Sequence, residues 1–423
     1  MIIKRTVVLK SEKLPKKIFR VFVELEGMYR EMLIQLLPYA VENEVTSYIM
    51  LKAKNYDFLR SLYPQLPSHY AYTVCQDAVE RVKGFLRKKR RGLTKKDYPE
   101  VKSISIWLDE KLFRLGYAFI RIATHRGWVE VPLETHKHYW RYRNSDWELA
   151  KYHARIKLDK RERRLIVYLV FKRDVEEYEP KNWISIDVNE DNVTALIDYT
   201  PIIFETGQKR ITLGYYYRRK RVQEKWDKKL GPKNRVKKRI FEKFHERDRK
   251  RDIRSKLAKI IVVEAKKRRA GIVLEKLPKN APKRMLEKIR DRQLRHRIYQ
   301  SAFIGIQKAI EEKAREYDVP VIKVSPKNTS RICPIHNTPV KYDGRYGVCT
   351  VGGEVWHRDV LAVWNLYLRA LQGDGGFALS SGGFSLDGSP VPLGSTATSE
   401  AVWIEKSRWL RWNSLPPPYK TKR

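Results

Sequence analysis

The sequence is poor in cysteine and has no long apolar run, and both absences exclude classes of protein. Three cysteines in 423 residues exclude a disulfide framework and fit a reducing interior. No apolar run approaches the roughly 20 residues that a membrane-spanning helix needs. Residues 1–10 are too short an apolar stretch, and too interrupted by charge, for a signal peptide. We therefore expect a cytoplasmic protein with no membrane partner.

Acidic residues are also scarce relative to basic ones. The chain has 49 Asp and Glu against 89 Lys and Arg, which gives a formal net charge of +40. This excess favours a polyanionic partner, although membrane-surface and ribosomal proteins carry similar charge. A hydrophobic fraction of 42%, with 11 Trp and 24 Tyr, is enough for packed cores and argues against extensive disorder. At this length we expect two to four domains.

The spacing of apolar residues divides the first part of the chain into β and helical segments. Residues 2–9 predict a strand, and residues from 15 to 90 follow a helical spacing of three and four. Residues 101–176 return to short strands, which favours a small antiparallel barrel or sandwich. If strand 2–9 completes that β domain, the helical segment is an insertion into it. The predicted boundaries are 1–13 and 96–180 for the β domain and 14–95 for the helical domain.

Three carboxylates lie at the ends of apolar runs. Asp187 and Glu275 each close a short aliphatic run typical of a buried strand, and Asp359 begins a helical apolar pattern. Hard divalent cations take oxygen ligands, and three such acids could hold two Mg²⁺ ions roughly 4 Å apart. A single strand-end acid usually just faces water. In so basic a chain, the three together indicate a two-metal phosphodiester nuclease.

Residues 218–256 form the densest charge run of the chain. This stretch holds 19 basic and 6 acidic residues, a net charge of +13, and its interspersed apolar residues predict helices. A solvated surface is one interpretation, and contact with nucleic-acid phosphate, together with residues 87–91, is the other. The candidate phosphate-contacting residues are Arg218, Arg219, Lys220, Arg221, Lys237, Lys238, Arg239, Arg249, Lys250, Arg251 and Arg331.

A cysteine and histidine pattern precedes the third acid. Cys333 and His336 form a Cys-x₂-His pair, and Cys349 follows after a spacer of hairpin length. Thiolate and imidazole suit tetrahedral Zn²⁺. A second Cys-x₂-Cys pair would end at position 352, which is Gly352. Three outcomes are open: His357 supplies the fourth ligand, three ligands bind the metal with water, or the hairpin packs without metal.

Four motifs make the chain resemble the TnpB (OrfB) proteins of insertion sequences, RNA-guided nucleases related to compact type V CRISPR effectors. The motifs are Ile186-Asp187, Leu274-Glu275-Lys276-Leu277, Thr329-Ser330-Arg331 and Arg358-Asp359-Val360. Their order is also that of the family: an acid, a second acid, a zinc hairpin and the last acid. The resemblance covers the whole chain.

The resemblance implies an α/β multidomain fold. A β-barrel wedge domain carrying a helical recognition domain would precede an RNase H-like (RuvC-type) nuclease core with an inserted zinc-ribbon-like hairpin. The implied boundaries are 181–328 and 357–372 for the nuclease core and 329–356 for the hairpin, which would bind target nucleic acid. The Gly- and Ser-rich composition of residues 373–423 predicts a flexible C-terminal tail.

Site residues follow from the resemblance position by position. Asp187, Glu275 and Asp359 match the catalytic acids that bind two Mg²⁺ ions, and Cys333 and Cys349 match two of four zinc cysteines. Other positions depart from the family pattern, although no metal-binding acid is lost. The departures are His336 and Gly352 in place of the other two cysteines, His357 in place of the first Asp of an Asp-Arg-Asp motif, and Leu361 in place of a common Asn.

The implied function is that of a transposon-associated RNA-guided DNA endonuclease. Its partners would be a guide RNA encoded near the gene and the target DNA, and it would be a monomer or weak dimer on RNA. The first alternative is a nuclease-inactive, RNA-guided DNA-binding repressor, against which the intact acids argue. A transposase acting on DNA ends would need a nucleophilic Tyr in a His-x-His context, which is not evident. A plain RNA-binding protein is favoured only if the three acids lie far apart.

Overall fold

The computed structural model describes residues 1–150, 154–277, 286–287, 289–300, 303–372 and 401–409. It divides into two compact units, Met1–Asp174 and Val175–Arg423. None of the helices in these ranges combines the length and the apolar character that crossing a bilayer requires. Each unit has its own sheet and its own hydrophobic core.

The first unit is built on an eight-stranded antiparallel sheet. Its strands are β1 (Ile2–Ser11), β2 (Ile106–Leu108), β3 (Phe113–Leu115), β4 (Phe119–Thr124), β5 (Gly127–Glu134), β6 (Glu148–Leu149), β7 (Ala154–Asp159) and β8 (Arg164–Asp174). The order is β2-β7-β8-β1-β5-β4-β3, with β6 beside β8, so the first strand of the chain completes the sheet as predicted.

This sheet must be strongly curved. Its two outer strands, β2 and β3, are consecutive in sequence, and their nearest residues, Leu108 and Phe113, are five positions apart. An extended chain of that length spans at most about 18 Å. The sheet therefore curls until its edges approach each other, as the predicted barrel requires, although the edges are not hydrogen-bonded to each other in the described residues.

Helices fill the interval between the first two strands. They are α1 (Lys16–Glu42), α2 (Tyr48–Leu62) and α3 (His69–Arg90), and a short α4 (Lys137–Arg143) follows β5. Helix α1 packs on α3 through a fully buried face, on which Tyr29 donates its hydroxyl to the Thr73 carbonyl at 3.2 Å. Cys75 is fully buried in α3 and packs there as a small core residue.

The second unit contains a mixed six-stranded sheet and a three-stranded ribbon. Its strands are β9 (Asn182–Val188), β10 (Asn192–Ile197), β11 (Thr200–Glu205), β12 (Ala270–Glu275), β13 (Val321–Val324), β14 (Val340–Asp343), β15 (Tyr346–Cys349), β16 (Val355–His357) and β17 (Val402–Ile404). The large sheet has the order β13-β12-β9-β10-β11-β17, and the ribbon has the order β14-β15-β16. In the large sheet, β9, β10 and β11 are antiparallel neighbours, whereas β12 and β13 run parallel to β9.

Helices cover both faces of the large sheet. They are α5 (Gln208–Leu230), α6 (Val236–Glu242), α7 (Glu246–Lys267), α8 (Arg292–Gln300), α9 (Phe303–Glu316), α10 (Arg358–Gln372) and α11 (Lys406–Trp409). Buried residues of α7 and α9 form a core with Ile184 and Ile186 of β9. Helix α10 contributes Val363 and Trp364 to a separate core with Leu196 and Ile203. The predicted helices in the charged run are confirmed by α5, α6 and α7.

The prediction of a flexible C-terminal tail is wrong for residues 401–409. Strand β17 pairs in parallel with β11, and the side chain of Trp409 is fully buried with its Nε1 donating to the Glu205 carbonyl at 2.8 Å. The apolar residues of this segment complete the sheet edge, which the surrounding Gly- and Ser-rich composition obscures. The remainder of the predicted tail, residues 373–400 and 410–423, lies outside the described residues.

Candidate active site

Asp187 and Glu275 lie on neighbouring parallel strands of the large sheet. Strands β9 and β12 pair with Leu274 opposite Ile186, so the acids one position further along stand side by side. Side chains alternate between the two faces of a strand. Because Ile186 points into the core beneath α7 and α9, Asp187 points to the opposite face. The predicted placement at strand ends therefore brings these two carboxylates to one edge and one face of the sheet.

Asp359 reaches the same face from α10. Ser185 shares the face of Asp187, and its hydroxyl donates to the Val363 carbonyl of α10 at 2.6 Å. Asp359 lies in the first turn of that helix, one turn before Val363. As a result, Asp187, Glu275 and Asp359 all line one cavity of about 580 Å³. Residues far apart in sequence thus share one site.

The three acids are poorly solvated and repel one another. Asp187 is 8% exposed and Asp359 is 2% exposed. Burial, and then the charges of Glu275 and Asp359, raise the pKa of Asp187 well above its ordinary value, against a hydrogen bond from Asn189 that lowers it. Burial also raises the pKa of Glu275 to about 7, opposed by the charge of Arg369. Neighbouring groups offset the burial and mutual repulsion of these acids only in part, so the cluster attracts cations.

Two side-chain amides and one guanidinium orient the acids. At the β9–β10 hairpin, Asn189 donates to Oδ2 of Asp187 at 2.7 Å, and Asn192 donates to Oδ2 of Asp359 at 3.2 Å. Arg345, in the turn between β14 and β15, donates to the same Asp359 oxygen at 2.9 Å while 61% of its side chain is exposed. No described residue hydrogen-bonds to the Oδ1 atom of Asp187 or Asp359.

Sequence reasoning missed these three supporting residues. Asn189 and Asn192 belong to a short polar segment between two apolar runs, and Arg345 follows Asp343-Gly344 in the turn of the hairpin. The turn signals were visible in the sequence, but nothing in it shows that these turns face the acids. Their part in the site depends on how α10 and the ribbon pack on the sheet.

A second group of possible metal ligands lies in the ribbon. Donor atoms of Cys333, His336, Cys349 and Glu354 all lie within 4.8 Å of one another. His336 Nδ1 is 3.5 Å from Cys349 Sγ, 3.8 Å from Cys333 Sγ and 3.4 Å from Glu354 Oε2. Ligands of a tetrahedral zinc ion lie about 3.5 Å apart, given bonds of about 2.0 to 2.3 Å. The four residues could therefore hold one metal ion.

The environment of the thiols differs between the two cysteines. Burial raises the pKa of Cys333 to about 11. Burial also opposes ionisation of Cys349, but hydrogen bonds from Thr338 and from the backbone of Gly352 and Val351 lower its pKa to about 7. The thiolate is the form that binds metal, so Cys349 is prepared for ligation before any metal arrives.

His357, one of the possible fourth ligands in the sequence, does not belong to this group of donor atoms. Strand register places His357 opposite Tyr346, three residues from Cys349 along β15 and thus about 10 Å away. His357 lies instead beside Asp359, and its ring packs against Tyr346 and Trp403. Glu354, rather than His357, lies beside the two cysteines and His336.

Steric crowding explains why position 352, where a second Cys-x₂-Cys pair would end, is a glycine. A Cβ atom at this position would lie 2.1 Å from Cε1 of His336 and 2.2 Å from Oε1 of Glu354. Any side chain here would displace two of the four candidate ligands. The glycine that appeared to break the zinc pattern therefore makes room for the alternative ligand.

The predicted phosphate-contacting residues divide into exposed side chains and internally paired ones. The exposed ones are Arg218, Lys220, Arg221, Lys238, Arg239, Arg249, Arg251 and Arg331. Arg219 and Lys250 both pair with Glu246, and Lys237 pairs with Asp227. Lys250 is only 4% exposed. These three side chains form ion pairs within the protein, so the exposed residues are better placed than they are to contact phosphate.

Two family models match parts of the chain. The Uncharacterized protein MJ0013 family matches residues 25–123. The Cas12f1-like, TNB domain matches residues 303–366, which contain the ribbon, the four candidate metal ligands and Asp359. The second match therefore coincides with the region that the sequence singled out for a metal-binding hairpin.

Two proteins of Methanocaldococcus jannaschii are similar to this chain in sequence. The TnpB-like protein MJ0751 is 30% identical over 217 residues, which cover 48% of this chain and 74% of that protein. The uncharacterized protein MJ0857 is 27% identical over 243 residues, which cover 52% of this chain and 88% of that protein. Both alignments extend over most of the relative.

Solved structures of RNA-guided effectors resemble the chain weakly. The Cas12f1–sgRNA–target DNA complex aligns over 78% of this chain and 76% of its own, with 14% identity and a TM-score of 0.48. The mini-RNA-guided endonuclease CRISPR-Cas_phi3 aligns over 86% of this chain and 92% of its own, with 9% identity and a TM-score of 0.49. Both scores lie below 0.5, so this likeness does not by itself establish a shared fold.

Proposed function

Because the chain belongs to the TnpB-like family, we propose that it is an RNA-guided DNA endonuclease whose active site is the cavity lined by Asp187, Glu275 and Asp359. The observation that carries this proposal is the meeting of three carboxylates, two buried and one half-buried, from two strands and a helix in one cavity. A protein that only bound nucleic acid would have no physical reason to keep these repelling charges together.

The donor set of the cavity fits divalent cations. Carboxylate oxygens are the ligands that Mg²⁺ prefers, and the buried acids repel one another without a cation between them. The Oδ1 atoms of Asp187 and Asp359, which accept no hydrogen bond from a described residue, are available for such a cation. We assign Asp187, Glu275 and Asp359 as the residues that hold two Mg²⁺ ions. When bound, the pair supplies an activated water and charge stabilisation for in-line displacement at a phosphate.

The protein groups around the acids orient them and neutralise charge. Asn189 holds one oxygen of Asp187 in place, and Asn192 holds one oxygen of Asp359. The carboxylates therefore need not reorganise when substrate binds. Arg345 bridges Asp359 and solvent, a position from which its guanidinium can also reach a phosphate oxygen. The exposed basic residues of α5 to α7 would hold the nucleic-acid backbone, while base pairing with the guide reads the target sequence.

We assign the ribbon cluster as a zinc site with the ligands Cys333, His336, Cys349 and Glu354. Soft thiolates and imidazole select zinc over magnesium, and four closed protein ligands are typical of a structural rather than a catalytic zinc. The ribbon also carries Arg345 at its first turn. A structural zinc would therefore rigidify the element that places this guanidinium against Asp359.

The remaining assignments of the proposal concern domains and partners. The second unit would be the RNase H-like (RuvC-type) core with its inserted ribbon, and its mixed sheet supports this. The first unit would comprise the wedge and the helical recognition domain. The partners would be a guide RNA encoded near the gene and a target DNA, the setting would be the cytoplasm, and the protein would be a monomer or weak dimer on RNA.

The test of this function uses the RNA that co-purifies with the full-length protein. Sequencing that RNA identifies the guide, and a DNA duplex matching it is incubated with the complex in Mg²⁺. We expect cleavage of the matched duplex, no cleavage of a scrambled duplex, and binding with little cleavage in Ca²⁺, which relaxes the octahedral geometry of Mg²⁺. Binding of matched DNA in Mg²⁺ without any cleavage would favour the repressor alternative.

A substitution of Arg345 should change the affinity of the cavity for Mg²⁺. Arg345→Gln removes a positive charge 2.9 Å from Asp359, so we expect the Mg²⁺ concentration at half-maximal thermal stabilisation to fall about threefold to tenfold. Lys341→Gln is the matched control, because Lys341 is exposed on β14 of the same ribbon. Equal midpoints in the two variants would contradict the assignment of Asp359 as a Mg²⁺ ligand.

A further inference from the structure

A second cavity of the second unit is lined by positive charge. It has a volume of about 560 Å³ and lies where the start of α5, the start of α7 and the C-terminal segment with α11 meet. Arg210, Arg218, Arg249 and Lys406 line it, together with the single carboxylate of Glu205. Four positively charged side chains from three different helices thus surround one cavity. Such an arrangement is typical of an anion site.

The positive charges in this cavity are only partly offset by acidic groups of the described residues. None of the four basic side chains forms an ion pair with another described residue. Burial lowers the pKa of Lys406, and the charges of Arg249 and Arg210 lower it further against the opposing charge of Asp191. Positive groups that destabilise one another in this way leave a site that an anion would stabilise.

Buried neighbouring residues fix the positions of the basic side chains in this cavity. Lys406 is held between two buried anchors, Ile404 of β17 and Trp409 of α11. Tyr215, itself buried, supports the guanidinium groups of Arg218 and Arg249, which lie 5.7 and 6.0 Å from its ring centre. A well-anchored lysine and two ring-supported arginines lose little side-chain entropy on binding an anion.

A glycine at the start of α5 leaves room for Lys406. Gly207 has a φ of +60°, which disfavours any residue with a Cβ atom. A Cβ atom there would also lie 3.2 Å from Cδ of Lys406, tighter than an ordinary contact. Both the backbone and the lysine therefore depend on glycine at this position.

The same face of α5 continues away from the cavity with further basic residues. Arg210, Arg218, Arg221, Lys225 and Lys228 recur at spacings that keep them on one side of the helix, and all are exposed. At 1.5 Å per residue this row extends about 27 Å. A row of that length suits a chain of phosphates rather than a single free anion, and arginine forks match phosphate oxygens.

We infer that this cavity binds a phosphate group of a nucleic-acid strand whose backbone continues along the basic face of α5. The inference rests on the proposed function, because it assigns where a strand bound by this nuclease is held. It also gives the C-terminal segment a part in nucleic-acid binding through Lys406. The shared chemistry is phosphate, and the experiment separates a nucleic-acid strand from free phosphate.

The test compares Lys406→Gln with Arg408→Gln in the full-length protein. Both changes remove one positive charge from the same segment, but only Lys406 lines the cavity. Affinity for a labelled single-stranded RNA, and for DNA of the same sequence, is measured by fluorescence anisotropy from about 50 to 200 mM KCl. For Lys406→Gln we expect the slope of log affinity against log salt to fall by about 0.7, with Arg408→Gln unchanged and Lys406→Arg retaining the slope.

The alternative outcomes are distinct. Equal slopes for Lys406→Gln and Arg408→Gln would overturn the inference, even if matched DNA is still cleaved. Calorimetric binding of inorganic phosphate that depends on Lys406, with unchanged slopes for RNA and DNA, would show a free-anion site and would also overturn it. If the wild-type protein does not cleave matched DNA but the salt slopes of the variants change as expected, the proposed function is contradicted and this site is not. Equal melting temperatures of the variants confirm that the fold is intact.

Discussion

Asp187→Asn should reduce cleavage of matched DNA by about a thousandfold or more while leaving DNA affinity nearly unchanged. The carboxylate lines the acid cavity together with Glu275 and Asp359, and removing it removes a ligand for the proposed Mg²⁺ pair. Affinity depends instead on the basic surface and on base pairing. Single-turnover cleavage and binding are measured on the same complex with its co-purified RNA.

Asp343→Asn is the matched control for this prediction. Asp343 is exposed at the end of β14 and does not line the cavity, so its substitution should leave cleavage unchanged. Retention of full cleavage by Asp187→Asn would show that the acid cavity is not the active site. Equal loss of cleavage and of binding would show that Asp187 supports the fold or the nucleic-acid surface.

Asp187→Asn should also be more stable than the wild-type protein when divalent cations are absent. Burial and two neighbouring acids oppose ionisation of Asp187, so replacing it by a neutral isostere relieves repulsion. We therefore expect a higher melting temperature for Asp187→Asn in a chelator and a smaller rise on addition of Mg²⁺ than in wild type. This measurement does not depend on catalysis.

Glu354→Ala should weaken zinc binding by about a hundredfold or more, because it removes a direct ligand. Loss of a residue that only hydrogen-bonds to a ligand already lowers metal affinity about 10- to 100-fold. Its carboxylate is 3.4 Å from His336 Nδ1 within the four-residue cluster of the ribbon. Wild-type protein should contain about one zinc per chain, and Cys349→Ser should lose it. Competition with a chromogenic chelator measures each affinity.

His357→Gln separates the two possible fourth ligands. His357 lies at the opposite end of the β15–β16 pair from Cys349, so this change should leave zinc affinity unaltered. The reverse result, with His357→Gln losing zinc and Glu354→Ala keeping it, would restore the ligand set that the sequence suggested. A wild-type protein without zinc after metal-free refolding and zinc addition would show that the ribbon packs without metal.

The three acids that line the cavity could be located from the sequence because their signal is local. An acid at the end of a buried aliphatic run, as with Asp187 and Glu275, needs only the alternation of one strand to be recognised. The helical pattern after Asp359 is equally local. The helices of the charged run and the hairpin β9–β10 were predictable for the same reason, as was the mixed α/β class.

Other parts of the site depend on register and packing, which act between residues distant in sequence. Glu354 rather than His357 meets the cysteines because the pairing of β15 with β16 sets which end of the ribbon each residue occupies. Arg345 meets Asp359 only because the ribbon folds over the start of α10. Neither relation has a local sequence signal.

The basic residues show the same division between sequence and tertiary structure. The sequence alone determined that residues 218–256 are strongly basic, and the spacing of their apolar residues predicted helices. Only the tertiary structure decided that Lys250 is buried against Glu246 and that Lys406 joins Arg210 at a cavity. The reason is physical: charge and periodicity are properties of a segment, whereas the burial of a charge and the closing of a cavity are set by the segments that pack against it.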